Sequence, residues 1–284
     1  LAMTEETWFL MVPVDLNMTS AISLPKESKM QTIHGFIVAL HVLTGALSLL
    51  LFWVPSFTRK GGKSHKQFGG YYIKAMLFTS ISGVVSSTMV LFIPLVIYPT
   101  MPEHFESVAY FTAYLRGQYL FLLMLSLLVW NNVRHSVAVL KVKQNLEKLR
   151  TIEYLWLPAL LTVVASIALY QGITYGITLT CIFAPIALLN AIGIARYVYQ
   201  KNIVAGTWVT EHIGHIIGSG IGAYTAFFAF GGRALFEGSP SLQLVSWVLP
   251  ALIGVPFSIW LSCKYKPKSS GRNTPSLKPK VVKS

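Results

Sequence analysis

Histidines are the residues of this sequence best suited to chemistry, because a neutral imidazole can ligate a transition metal and can exchange a proton near neutral pH. Two of them, His34 and His41, are seven residues apart in one apolar run. Seven residues make about two helical turns, so both imidazoles fall on nearly one helix face, roughly 10 Å apart. Arg116, in a later apolar run, is expected at a depth similar to that of His41. These three residues form a first candidate site.

The functional interpretation of this first group is a cofactor or ligand site in the outer half of a membrane. His34 and His41 would ligate or hydrogen-bond the ligand, and Arg116 would neutralise an anionic group such as a haem propionate, a carboxylate or a reduced quinone. The structural alternative is that Arg116 snorkels or binds backbone carbonyls, and that each histidine is an interhelical hydrogen bonder. Residue types and spacing leave both interpretations open.

A second group of histidines is expected on the cytoplasmic side of the membrane and comprises His65, His135, His212 and His215. His212 and His215 share a helix face because they are three residues apart. A third imidazole from His65 or His135 would complete a catalytic-type metal site with an open position. Glu211 precedes the pair, whereas the metalloprotease helix has its glutamate between the two histidines. The alternative is that His65 and His135 are solvated at the level of the lipid headgroups.

Three glycines, Gly214, Gly218 and Gly222, recur every fourth residue just after the His212 and His215 pair. Small residues at this spacing let helix backbones approach closely. These three glycines, which we call the glycine ridge, predict helix contact, either within one bundle or with a second copy or a membrane complex. No phosphate-binding loop accompanies these glycines, which argues against a nucleotide site.

The elements that carry these residues are apolar runs of about 20 residues, the length that crosses the hydrocarbon core of a bilayer. Apolar residues make up 54% of the 284 residues and charged residues 12%, whereas soluble domains have roughly a quarter charged residues. We therefore predict an all-α integral membrane bundle of seven transmembrane helices. The spans are expected at about 32–57, 69–98, 108–133, 154–171, 174–198, 212–231 and 244–263.

Lysine and arginine are concentrated in the loops after spans one, three, five and seven. The positive-inside rule then predicts the N-terminus outside and the C-terminus in the cytoplasm. We divide the chain into an extracytoplasmic N-terminal segment (1–30), a seven-helix transmembrane domain (31–264) and a disordered basic cytoplasmic tail (265–284). The same loop distribution explains the net charge of +13 without a nucleic-acid partner.

Two segments carry a family resemblance. They are His41 and Gly45 followed by the basic hinge with His65-Lys-Gln-Phe-Gly69, and the run His212-Ile-Gly-His-Ile-Ile-Gly-Ser-Gly-Ile-Gly-Ala-Tyr-Thr-Ala-Phe227. In both, the chain resembles the bacterial predicted membrane proteins grouped as the domain of unknown function 2306 family. That family usually has His-Arg in the hinge where this chain has His65-Lys66. The resemblance implies a multi-pass protein of a bacterial cytoplasmic membrane with recurrent histidines, and implies no established activity.

Three functions follow from these patterns. The leading hypothesis is a membrane protein that holds haem b or a transition metal through its histidines and transfers electrons to or from quinone. The first alternative is a small-solute transporter or binding protein in which His41 and Arg116 recognise an anion. The second is an accessory or scaffold subunit that assembles through the glycine ridge. The residues carry no hydrolase, protease or Walker motif, so an enzyme is not the favoured class.

Overall fold

The computed structural model describes residues 28–201, 203–232 and 239–266, which form α-helices and contain no β-strand. Five long helices come first along the chain: α1 (Lys29–Phe57), α2 (Lys63–Phe92), α3 (Val108–Val142), α4 (Ile152–Tyr175) and α5 (Thr178–Val198). Two more follow: α6 (Thr207–Ala226), which continues as one π-helical turn (Phe227–Gly231), and α7 (Pro240–Tyr265).

All seven helices are long and apolar enough to cross a membrane, which confirms the prediction of an all-α chain with seven helices of this kind. Several predicted boundaries differ from the structure: α2 begins at Lys63 and ends at Phe92, α3 continues to Val142, and α6 begins at Thr207. Where a helix is longer than expected, the prediction ended it at polar or basic residues, whereas a helix continues past the hydrocarbon when its backbone bonds and packing persist. The N-terminal segment before residue 28 and the tail after residue 266 lie outside the described residues.

Helix α3 is at the centre of the bundle, because it packs against α2, α4, α5 and α6. Helix α1 packs on α2 and α6, and α7 packs on α6. A side chain on α3 can therefore meet side chains from most of the other helices. We call the end of the bundle with loops 58–62, 143–151 and 199–206 the basic side, since it carries most of the lysines and arginines.

The glycine ridge of α6 packs inside the bundle. A Cβ added to Gly218 would lie 3.4 Å, and one added to Gly222 3.1 Å, from the nearest side-chain atom of α3. A Cβ on Gly220 would lie inside contact distance of the Phe52 ring on α1, whereas nothing lies within 4 Å of a Cβ on Gly214. The ridge therefore sets the close approach of α6 to α3 and α1, and an oligomer through these glycines stays a prediction.

Candidate metal centre

Three potential metal ligands converge near the basic side: His135 on α3, and Glu211 and His215 on α6. The Nε2 atom of His135 lies 3.0 Å, and that of His215 3.3 Å, from the same carboxylate oxygen of Glu211. One ligand atom from each residue lies within 4.8 Å of the other two. His135 is only 1% exposed. Two imidazoles and one carboxylate thus face a common point that is largely shielded from solvent.

Local helix geometry explains this convergence. Glu211 and His215 are four residues apart, so both side chains lie on one face of α6. Helices α3 and α6 run antiparallel, because His135 is near the end of α3 and Glu211 is near the start of α6. The close approach at Gly218 then holds the two helices at a separation that the imidazoles can span.

The second nitrogen of each imidazole is anchored by a neighbouring helix. His135 Nδ1 hydrogen-bonds the hydroxyl of Tyr154 on α4. His215 Nδ1 donates to Asn132 Oδ1 at 2.7 Å, and this oxygen also accepts a bond of 2.9 Å from the side-chain amide of Asn190 on α5. Histidine ligands of metals are normally oriented in this way, by a hydrogen bond at the nitrogen that does not bind the ion.

The hydrogen-bonding pattern of His215 requires a cation between its Nε2 atom and Glu211. Asn132 Oδ1, as the structure places it, can only accept, so His215 Nδ1 carries the hydrogen. In a neutral ring the Nε2 atom then has a lone pair, and this lone pair faces an anionic oxygen of Glu211 at 3.3 Å. Such an arrangement is repulsive unless a proton or a metal ion lies between the two atoms. His135 is not restricted in the same way, because a tyrosine hydroxyl can donate or accept.

Helix α5 adds a further polar group beside the cluster. The Tyr197 ring lies edge-on to the His135 ring, with 5.5 Å between their centroids. Its buried hydroxyl has no hydrogen-bond partner within the part of the chain that the structure describes. Side chains from α3, α4, α5 and α6 therefore meet at this point of the bundle.

The other two predicted metal ligands have backbone partners. His212 Nδ1 lies 2.9 Å from the carbonyl oxygen of Ser136, and His65 Nδ1 lies 3.0 Å from that of Pro55. Of the four histidines that the sequence suggested, the structure thus brings together His135 and His215. The third group of the cluster is Glu211, which sequence reasoning noted but did not choose.

His65 shares its carbonyl with Lys60, whose ammonium donates to Pro55 O at 2.8 Å and to Ser56 O at 2.6 Å. Burial lowers the pKa of Lys60, and the positive charge of Lys264 lowers it further. The last carbonyls of α1 have no intrahelical partner, and these two side chains satisfy them. His65 therefore caps the end of α1.

The two histidines of the first candidate site, His34 and His41, both bind α2. His34 Nε2 lies 2.9 Å from Ser86 Oγ. His41 Nδ1 lies 2.8 Å from the carbonyl oxygen of Thr79 and 3.1 Å from Ser82 Oγ. Each imidazole thus ties α1 to α2, which is the interhelical bonding that the structural alternative describes.

Arg116 has a different partner from these histidines. Its Nε donates to the backbone carbonyl of Leu91 at 3.3 Å, and its side chain is exposed. In the described residues no hydrogen bond joins Arg116 to His34 or His41. The structure therefore does not assemble the three residues into one hydrogen-bonded anion site.

The cluster on the basic side fits a single metal ion and does not fit a haem between its imidazoles. The rings of His135 and His215 are 4.3 Å apart between centroids, at an interplanar angle of 70°. A macrocycle with two axial imidazoles has to separate their rings, whereas here the rings are in contact and both face Glu211. The donor set of two imidazoles and one carboxylate instead matches ions such as Zn²⁺ and Fe²⁺.

We compared the chain with known proteins in three ways. A scan against protein-family models, a search of curated proteins and a search of solved structures find no match to this chain. The resemblance to the domain of unknown function 2306 family stays a prediction. The geometry around Glu211 is consequently the basis for a functional proposal.

Proposed function

We propose that this chain is a membrane metalloprotein that binds one divalent transition metal ion through His135, Glu211 and His215. The observation that carries the proposal is the convergence of two anchored imidazoles on one carboxylate oxygen, at 3.0 and 3.3 Å. Two histidines and one glutamate ligate catalytic zinc, and two histidines and one carboxylate ligate non-haem iron. Three protein ligands leave at least one coordination position open.

The surroundings of the three ligands support this proposal. A metal ion in a low-dielectric site needs an anionic ligand, and Glu211 supplies one negative charge. Tyr154 and Asn132 bind the outer nitrogens of the two imidazoles, and such outer partners typically raise metal affinity by 10 to 100-fold. The apolar helices around the site limit the access of water, which strengthens each electrostatic contact.

The open position favours a metal that exchanges an external ligand over one that only transfers electrons. Electron-transfer centres keep their coordination closed, as in blue-copper sites, whereas catalytic sites leave a position for water or substrate. We therefore favour a metal ion that binds and releases an external ligand over one that transfers electrons to quinone. The same donor set accommodates Fe²⁺, so redox chemistry at the bound ion is compatible with the proposal.

The two alternative functions receive less support. An anion transporter would use His41 with Arg116, but these side chains bind different parts of α2. A scaffold would assemble through the glycine ridge, but Gly218 and Gly222 face α3 of the same chain. The cluster around Glu211 is the arrangement that neither alternative explains.

The test is metal binding by the full chain purified in detergent. After treatment with a chelator, the wild-type protein should bind one Zn²⁺ or Co²⁺ per chain, and Glu211→Gln and His215→Ala should lose most of this affinity. His212→Gln is the matched control, because it lies on the same helix between the two ligands and its amide can still donate to Ser136 O. Oxidised and dithionite-reduced absorption spectra of the same samples test for haem.

Two results would contradict the metal proposal. One is a wild-type chain that binds no stoichiometric metal. The other is equal loss of metal in His212→Gln and Glu211→Gln. A Soret band that sharpens on reduction would restore the haem hypothesis.

A further inference from the structure

Tyr197 is a buried tyrosine beside the candidate metal centre, and no side chain or carbonyl of the described residues pairs with its hydroxyl. Its side chain is 6% exposed, and the hydroxyl oxygen has no hydrogen-bond partner among the described residues. Such groups are rare, because an unpaired buried hydroxyl costs free energy relative to a solvated one. Tyr154 offers a contrast, since its hydroxyl binds His135.

The position of the Tyr197 ring relates it to the metal ligands. The ring contacts the His135 ring edge-on, with 5.5 Å between their centroids. Tyr197 comes from α5, whereas all three proposed ligands come from α3 and α6. The tyrosine thus meets the cluster from a helix that supplies no ligand.

We infer that the Tyr197 hydroxyl hydrogen-bonds a small carboxylate bound at the open position of the metal ion. The inference rests on the proposed function. One carboxylate oxygen would bind the ion, and the other would accept the hydrogen of the tyrosine. The ligand would supply the partner that the hydroxyl lacks in the protein.

Charge indicates why the ligand is a monoanion. A divalent ion with two neutral imidazoles and one glutamate has a net charge of +1. A monocarboxylate brings the site to neutrality, which is the least costly state for a buried group. A dianion would leave a net negative charge among apolar helices.

The experiment uses the Co²⁺-loaded full chain in detergent, because the visible absorption of Co²⁺ responds to its ligands. Acetate is titrated into the wild-type protein, Tyr197→Phe and the control Tyr199→Phe. Tyr199 lies two residues further along and is 57% exposed, with its ring beside Arg150. Loss of a hydrogen bond to a charged acceptor should weaken acetate binding about tenfold or more in Tyr197→Phe. Tyr199→Phe should leave acetate affinity unchanged.

A second readout separates ligand binding from a structural role. In the metal-free protein, Tyr197→Phe removes a hydroxyl without a partner, so its thermal midpoint should equal or exceed that of the wild type. A lower midpoint of the metal-free variant would show that the hydroxyl holds the fold together, and would overturn the inference.

The outcomes distinguish this inference from the proposal on which it rests. If the wild-type chain does not bind Co²⁺, the proposed metal site fails. If Co²⁺ binds but its spectrum does not respond to acetate, or responds with equal affinity in wild type and Tyr197→Phe, the metal site stands and the role of Tyr197 is refuted.

Discussion

Replacing Asn132 by leucine should weaken the candidate metal centre without removing a ligand. Asn132 Oδ1 accepts two hydrogen bonds, from His215 Nδ1 at 2.7 Å and from the Asn190 amide at 2.9 Å. Leucine has a similar size but no acceptor. Both donors would then be unpaired, and the His215 ring would lose the contact that directs its Nε2 atom toward Glu211.

The expected magnitude can be estimated from these two bonds. In a soluble core each unpaired donor would cost about 1–3 kcal/mol, but interhelical hydrogen bonds in a membrane protein average about 0.6 kcal/mol. We therefore expect a loss of about 1–3 kcal/mol in the free energy of unfolding, less than the soluble-core sum. Loss of an outer partner of a histidine ligand should lower metal affinity by about 10 to 100-fold.

The assay is competition for Zn²⁺ with a chromophoric chelator, together with thermal unfolding in detergent. Asn132→Asp is the matched control, because a carboxylate at the same position still accepts from both donors and should bind metal at least as tightly as the wild type. A leucine variant that binds Zn²⁺ as tightly as the wild type would refute the anchoring role of Asn132. Equal loss of affinity in both variants would show that the amide matters for another reason.

Three further predictions concern packing, pH dependence and orientation. Gly220→Ala adds a methyl group against an α1 ring, so it should lower the free energy of unfolding by about 1–3 kcal/mol through overpacking and lower the thermal midpoint. Gly214→Ala is the control and should leave the midpoint unchanged. Equal midpoints in the two variants would contradict this packing. Burial lowers the pKa of Lys60 from its ordinary value of 10.5. Between the lowered and the ordinary pKa the unfolded chain binds more protons than the folded chain, so the free energy of unfolding should rise with pH in this window. Lys60→Met should reduce this rise in thermal unfolding, and an unchanged slope would count against it. In a cysteine-free background, single cysteines placed in 93–107 should react with an impermeant maleimide in intact cells. Single cysteines placed in 143–151 should react only after the cells are permeabilised. The reverse pattern would contradict the predicted orientation, in which the N-terminus is outside.

The seven helices could be predicted because length and apolarity are local properties of the sequence. The fifth span, expected at about 174–198, ends with α5 at Val198, and its expected start lies four residues before Thr178. The end of α3 could not be predicted in this way. Beyond the hydrocarbon its packing depends on contacts with other parts of the chain, as at the fully buried Val139, which packs with residues of α4, α5 and the following turn.

The outer candidate site shows why depth alone does not define a site. The distance of each residue from the expected outer end of its span predicts similar depths for His41 and Arg116. A second coordinate, the direction of each side chain around its helix axis, decides whether two such groups meet. The structure directs His41 to the Thr79 carbonyl and Arg116 to the Leu91 carbonyl, and neither direction can be read from hydropathy.

Glu211 is the group of the cluster that sequence reasoning left out, and the glycine ridge contained the signal that identifies it. Gly218 and Gly222 define the face of α6 that meets α3. Seven residues before each of them are Glu211 and His215, and a seven-residue step returns to nearly the same face of a helix. His212 is rotated by about 100° from Glu211, which takes it off this stripe. The face of α6 that carries Gly218 and Gly222 therefore also carries Glu211 and His215 toward the basic side. His212 lies off this face and binds the carbonyl of Ser136 instead.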